Sequence, residues 1–398
     1  LAEGDNNDIL CGKLREAKLQ QRVVETLVHT APRVGPVGNA LCLQMLLNLA
    51  DCEDIAPEII GAGAIELARD AYAHADARNP LPTFSASGAT MTVGEMANGV
   101  LTNLCQHEAL HAELLRADVP AALLPMTTDP NEEIAFSTLL ALAFMLGGSD
   151  DKNNPHIVAA SAAVTRLCET LRHGGIFFTS TGEETGSVFS IVELLNPAVK
   201  MVINDDNKQQ MHDVGMLPVL ETVLAQQMPG EEEAEEGAAH KIVSILLHLS
   251  FLSAGLDWLV ARKNAPDSTL LTNLDTLANT DGAGQAGRDA GSLCFRISKH
   301  SYSSGVTSPG TDLARHVMVS YCWAQKAIVL QFCKTLREMG HEVWRDEEGS
   351  KYVGPISGST IGAMADAVDK ASSVVVFVSR AYKESANCRL EATYAHGG

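Results

Sequence analysis

His107-Glu-Ala-Leu-His111 has the spacing of a zinc-hydrolase helix. On a continuous helix the two imidazoles would share a face, and Glu108 could act as a base. Gly282-Ala-Gly-Gln-Ala-Gly287 has the spacing of a loop that cradles a dinucleotide phosphate. Trp344 could stack on a ligand ring or sit at a strand end as core. Both spacings have a plainer explanation. Fifty-five residues earlier, Cys52, Glu53 and Ala56 occupy the positions of His107, Glu108 and His111, so the segment reads as one copy of a repeated element. Beyond Glu132 and Glu133, no third ligand stands at a telling distance. The glycines follow a helical run, Leu270 to Ala278, where a dinucleotide fingerprint needs a strand. No metal site is therefore expected, and the glycines read as a turn between helices.

Residues 316–398 alternate two periodicities. His316-Val-Met-Val-Ser-Tyr321 is a short β-branched run. Val329, Phe332, Cys333, Leu336 and Met339 recur at helical spacing, and Gly340 stops them. Glu342 to Arg345 reads as a second strand, Ala363 to Lys370 as a helix, Val374 to Val378 as a third strand, and Tyr382 to His396 as a last helix. Alternating strands and helices with apolar strands imply a parallel sheet covered on both faces. Such sheets bind ligands beyond the carboxyl ends of their strands.

These residues resemble a TIR domain. Val317-Met-Val-Ser-Tyr321 is similar to the first TIR strand. Val343-Trp-Arg-Asp346 is similar to the second, ending in the acidic residue that opens the BB loop. Ser379-Arg-Ala-Tyr-Lys-Glu-Ser-Ala-Asn-Cys388, followed by Leu390 and Glu391, is similar to the run after the third strand and the helix glutamate. The chain departs from the pattern at Asn387, where many TIR enzymes have Trp, and in a long segment from Asp346 to Ser359. The run stops at Gly398, before the last two strands that the resemblance implies. The domain is thus expected to be C-terminally incomplete, with an unpaired edge at Val374–Val378 that lowers solubility.

The resemblance implies that Glu391 is the carboxylate with which TIR enzymes hydrolyse NAD+. Cleaving the nicotinamide–ribose bond builds positive charge on the sugar, which a carboxylate stabilises. It implies Ser320, Tyr321, Trp344 and Asp346 as the NAD+ pocket, with NAD+ as substrate and no cofactor. It also implies self-association through the TIR unit. The alternative is a non-enzymatic TIR adaptor that acts by protein–protein contact alone; a metalloprotease built on His107 and His111 is a third reading.

Residues 10–297 carry the acidity. From Thr311 onward the charges balance, so the whole formal net charge of −20 lies upstream. An acidic body does not replace the counterions of nucleic acid. The nine cysteines are scattered singly, which reads as reduced thiols in a cytoplasmic setting. No apolar run is long enough for a membrane span. The segment is rich in Ala and Leu and repeats: Asn48 to Gly63, Asn103 to Asp118, Lys200 to Gly215 and His248 to Lys263 share one fifteen-residue offset. Units near 48 residues resemble armadillo repeats, whose helices bury their apolar faces only by stacking. Turn-rich insertions at Arg78–Thr90 and Thr179–Gly186, and an acid run at Pro229–Gly237, interrupt them. The fold expected is mostly α: an armadillo-like α-solenoid over 10–297, a linker over 298–314, and a partial flavodoxin-like α/β TIR domain over 315–398. The solenoid's groove is expected to bind a protein partner or to restrain the TIR unit.

Overall fold

The computed structural model describes residues 11–79 (save 17 and 75), 92–148, 154–228, 237–302 (save 264 and 281–283), 316–351 and, with gaps, 367–395. The acid run at 229–236, the insertion at 80–91, the stretch 303–314 and most of the Asp346–Ser359 and Ala363–Lys370 segments lie outside them. The chain forms two compact units, Leu1–Met201 and Val202–Gly398.

The first unit is a succession of helices: α1 (Gln20–Thr30), α2 (Pro36–Ala50), α3 (Ala56–Gly61), α4 (Ala64–Ala73), α5 (Val93–Gln106), α6 (His111–Arg116), α7 (Val119–Leu123), α8 (Glu132–Leu146), α9 (Pro155–Ser161), α10 (Ala163–Arg172) and α11 (Ile191–Met201). The long helices α2, α5, α8 and α11 stack in that order. Asn103 Nδ2 donates to the Leu47 carbonyl at 3.1 Å, tying α5 to α2. Asn98 bridges to Thr138 and Ser137 of α8 at 2.7 Å each. The start of α5 is fixed by a capping box between Thr92 and Glu95.

The fifteen-residue offset corresponds to a recurring turn. Gly63 (φ +88°) separates α3 from α4, and Asp118 (φ +57°) separates α6 from α7. A left-handed residue reverses the chain between two short helices at each point, which explains Gly, or an Asp that tolerates the conformation.

Two features depart from the sequence reading. A two-stranded antiparallel hairpin, β1 (Ile176–Phe178) and β2 (Glu184–Val188), occupies the turn-rich insertion. β2 is mostly exposed, so it has no apolar alternation to read; the hairpin is held instead by Phe177 and Phe189 packing on Phe136. Gly175 (φ +93°) is required there, because a Cβ would lie 2.1 Å from the Phe189 carbonyl. Cys11 and Cys52 form a disulfide, correcting the reading of every cysteine as a free thiol. The pair is 41 residues apart in sequence, and only the packing of the first helices brings it together.

The second unit continues with α12 (Asp205–Asp213), α13 (Met216–Gln226), α14 (Ala238–Leu249), α15 (Ser253–Arg262), α16 (Leu270–Asn279) and α17 (Gly284–Tyr302). Gly215 (φ +79°) repeats the left-handed turn between α12 and α13. α17 runs to Tyr302, into the stretch with linker composition. Then come β3 (His316–Tyr321), α18 (Lys326–Glu338), β4 (Val343–Trp344), β5 (Ala371–Phe377) and α19 (Arg380–Glu384). The three strands form a parallel sheet in the order β4-β3-β5. One face buries Met318, Trp344 and Ala367 against Phe251 and Phe295 of the helical array. The other buries Val319, Tyr321 and Val343 beneath Val329 and Cys333 of α18. The last helix is interrupted: α19 ends at Glu384, Ser385 is extended, and helix resumes at Cys388.

Candidate functional site

The central strand β3 has β4 on one side and β5 on the other, so the chain direction of the connections reverses across β3. In open α/β sheets the crevice beyond the carboxyl ends at such a point is the ligand site. Ser320 and Tyr321 end β3 there, paired with Val376 and Phe377 of β5. Ser379, just beyond β5, caps α19 by accepting from the Tyr382 amide at 3.1 Å. That cap turns Tyr382 toward the end of β3.

Glu391 lies at this point. Ser320 Oγ donates to Glu391 Oε2 at 2.5 Å. Tyr382 Oη is 2.6 Å from the same Ser320 oxygen. The single Ser320 proton serves the carboxylate, so the tyrosine donates to the serine, giving a chain Tyr382–Ser320–Glu391. Burial pushes the Glu391 carboxyl up to about 7; the Ser320 hydrogen bond opposes this, and the charge of Asp346 adds to it. Burial likewise raises the Tyr382 phenol. Cys388 Sγ donates to the Tyr321 carbonyl at 3.7 Å, fixing the resumed helix against β3. A carboxyl poised near neutrality can act as a proton acceptor, or as a fixed negative charge once ionised.

Asp346 and Tyr321 form the neighbouring wall. Tyr321 Oη donates to Asp346 Oδ1 at 3.0 Å and receives from Arg345 Nη1 at 3.3 Å. Burial raises the Tyr321 phenol to about 12. Arg345 is buried and ion-paired with Glu347 (3.0 Å) and Glu348. Lys326 Nζ reaches Glu347 at 2.6 Å, tying the start of α18 to the loop after β4. Of the residues expected to form the pocket, Ser320, Tyr321, Asp346 and Glu391 are thus brought together. Trp344 is not among them: it is 2% exposed and packed with Met318 and Ala367 in the core.

Three residues of the site were not singled out by sequence. Tyr382 stood inside the recognised Ser-to-Cys run, and its helix position after a Ser cap was the signal available. Arg345 carried no signal, because its role depends on the two glutamates folding back on it. Trp323, 67% exposed just beyond Tyr321, has the Lys326 ammonium 5.2 Å from its ring.

The other constellations do other work. His107 is not on a continuous helix with His111: α5 ends at Gln106, His107 is extended, and a 3-10 turn over Glu108–Leu110 intervenes. His107 Nε2 bonds the Ala50 carbonyl and His111 Nε2 the Cys105 carbonyl, both at 2.8 Å. Both nitrogens are therefore protonated donors and unavailable to a metal. Lys200 pairs with Glu108, while Glu132 receives Arg166 and Ser180. No group of three His, Cys, Asp or Glu among the described residues could hold a metal ion. Gly284 and Gly287 begin α17, and α16, not a strand, precedes them; Gly282 lies outside the described residues.

The helix that carries Glu391 also touches the array. Arg389 lies 4.8 Å from the Phe251 ring centroid, and Arg296 lies 4.7 Å from it. Arg389 Nη2 is 3.5 Å from Asp205, which also takes the buried Lys208. Burial, with Arg389 and Lys208 adding, pushes the His248 imidazole down to about 3, so it stays neutral beside them.

The TIR domain family matches residues 317–397. No curated protein matches the chain. Among solved structures, a designed armadillo repeat protein is 15% identical, with 69% of this chain and 99% of that chain covered and a TM-score of 0.43. The armadillo repeats only protein from Plasmodium falciparum is 14% identical, covering 62% of this chain and 98% of that one, with a TM-score of 0.37. A structure of the UNC-45 chaperone is 13% identical, covering 99% of this chain and 40% of that one, with a TM-score of 0.47. No described helix is long and apolar enough to cross a membrane. Residues 317–397, with their parallel sheet and the Ser320–Glu391 pair at its carboxyl edge, are a TIR domain, and it follows an array of stacked helices.

Proposed function

We propose that this is a signalling protein whose TIR domain hydrolyses NAD+ to nicotinamide and ADP-ribose, with Glu391 as the catalytic carboxylate. The observation that carries the reading is the hydrogen-bonded chain Tyr382–Ser320–Glu391 at the switch point of the sheet. The bond between nicotinamide nitrogen and ribose C1′ breaks with its electron pair going to the ring, so nicotinamide leaves neutral without a general acid. Ionised Glu391 stabilises the cationic sugar, and water adds to C1′, releasing a proton. Ser320, released from the carboxylate, can turn to a ribose hydroxyl. Trp344 is committed to the core, which leaves Trp323 as the aromatic surface at the mouth.

The armadillo-like array restrains this domain through Arg389, two residues from Glu391, seated on Phe251 and Asp205. A protein partner in the groove of the array would compete with that restraint. The test is NAD+ turnover by the full chain, abolished in Glu391→Ala and retained in His107→Ala. Self-association with no turnover in any assembled state would instead support the adaptor reading, which the exposed Trp323, Ile328 and Met339 favour as a contact surface.

A further inference from the structure

Several cations converge where the helix that carries Glu391 meets α12 and α17. The Lys208 side chain of α12 is 1% exposed, and its ammonium meets the Asp205 carboxylate at 2.5 Å. The same oxygen, Asp205 Oδ1, takes Arg389 Nη2 at 3.5 Å. Arg389 and Arg296 of α17 both face the Phe251 ring, at 4.8 and 4.7 Å from its centroid. Lys383 of α19 adds its charge to the same region.

Pairing with Asp205 does not cancel the repulsion among these groups. Burial pushes the Lys208 ammonium down against the pull of Asp205, and the charges of Arg389 and Lys383 push it further. Burial pushes the Arg296 guanidinium down to about 10, and Arg389 adds to it. Arg389 is itself lowered by burial, and Asp205 opposes this. His248, 3.4 Å from Arg389 through its Nδ1, stays neutral and brings no charge of its own.

Attraction and repulsion at this joint differ in their exposure. The Asp205 side chain is 76% exposed, whereas those of Lys208 and Arg389 are largely buried. Solvent and salt weaken a contact made by an exposed carboxylate, and they screen buried charges much less. The group that closes the joint is thus its most easily weakened part. Its loss leaves buried cations facing one another.

We propose that this joint is a sprung ionic latch: Asp205 holds it shut against the repulsion between Lys208 and Arg389, and removing or screening that one carboxylate frees the helix bearing Glu391. The latch rests on the restraint of the TIR domain proposed above and supplies its release. Lys208, although it belongs to a salt bridge, is on this account the spring. Its removal leaves Asp205 to Arg389 and tightens the joint.

The test follows amide hydrogen exchange of Cys388, Arg389, Glu391 and Ala392 in the full chain, with NAD+ turnover measured in parallel. Asp205→Asn should speed that exchange about tenfold. Raising NaCl from about 50 mM to about 500 mM should speed it in the wild type and not in the variant. Lys208→Met, an apolar replacement of similar length, should slow it about threefold, and the double variant should fall between the two singles. A loosened array would mimic the first result but not the slowing. Faster exchange in Lys208→Met overturns the proposal, because Lys208 would then hold the joint. Exchange unaltered by Asp205→Asn overturns it too. Turnover should rise with exchange. If exchange responds as stated and no variant turns over NAD+, the hydrolase reading fails and the latch stands. Turnover that stays level while exchange rises overturns the latch as a control on the site.

Discussion

Glu391 should make the TIR domain lose stability as pH rises, and Glu391→Gln should abolish that loss. The carboxyl is held at about 7 against an ordinary 4.5. At about 1.4 kcal/mol per decade, ionising it inside the fold costs roughly 3 kcal/mol. Between these two values the unfolded chain is already ionised while the folded domain keeps the proton. Folding therefore takes up a proton, and stability is full below about 4.5, falls through the window and is lost above about 7. From pH 5 to pH 8 the expected loss is about 2.5 kcal/mol. Glutamine imitates the protonated acid and can still accept from Ser320, so its profile should be flat across the same range. The assay is amide hydrogen exchange of Val317–Tyr321, corrected for intrinsic rates, at both pH values. From pH 5 to pH 8 the wild type should lose protection relative to the Gln variant by a factor approaching a hundred. Parallel profiles for the two proteins would refute the reasoning, because the carboxyl would then be ordinary and solvated. Turnover should vanish in the same variant, which separates a carboxylate kept for chemistry from one kept for packing.

Removing the hydrogen bond that holds Glu391 down, as in Ser320→Ala, should move the midpoint of the pH–turnover curve upward by about one pH unit; a downward move would contradict the assigned direction. Trp344→Ala should cost about 3–5 kcal/mol in denaturant unfolding, whereas a ring that stacked on ligand would leave stability intact and raise KM. Gly215→Ala should cost about 1–2 kcal/mol from its left-handed backbone, while Asp118→Gly should cost nothing; a neutral Gly215→Ala would show that the turn relaxes. Cys11→Ser should destabilise the first unit by about 4 kcal/mol for a loop of this length, and added reductant should reproduce that loss in the wild type; a melting transition unchanged by reductant would contradict it.

The parts legible in sequence are those fixed by local rules. The fifteen-residue offset could be seen because a left-handed turn accepts few residues, and Gly63, Asp118 and Gly215 all take it. The same offset at Lys263 marks a different place, the right-handed end of α15, since the small-residue signal is missing there. Ser320 and Glu391 could be named only through the resemblance of their runs to a TIR domain, since by local rules Glu391 is an ordinary helix carboxylate. Their direct hydrogen bond could not, for it depends on the break at Ser385 that re-aims the following helix. Trp344 was ambiguous for a physical reason: a ring at a strand end faces either solvent or a neighbouring layer, and here Phe251 and Phe295 of the array cover it. The hairpin and the disulfide were invisible because both are set by partners far along the chain.

Phe251 lies between two guanidinium groups, one from each part of the second unit. Linkage makes such a joint reciprocal. If occupancy of the crevice displaces the helix that bears Arg389 and Glu391, it must weaken the grip on Phe251 by the same free energy with which that grip resists occupancy. A binder that prises Arg389 loose would then register as tighter substrate binding, and saturating substrate would register as tighter hold on that binder. One aromatic ring would thus carry the same signal in both directions, with no need for a separate relay.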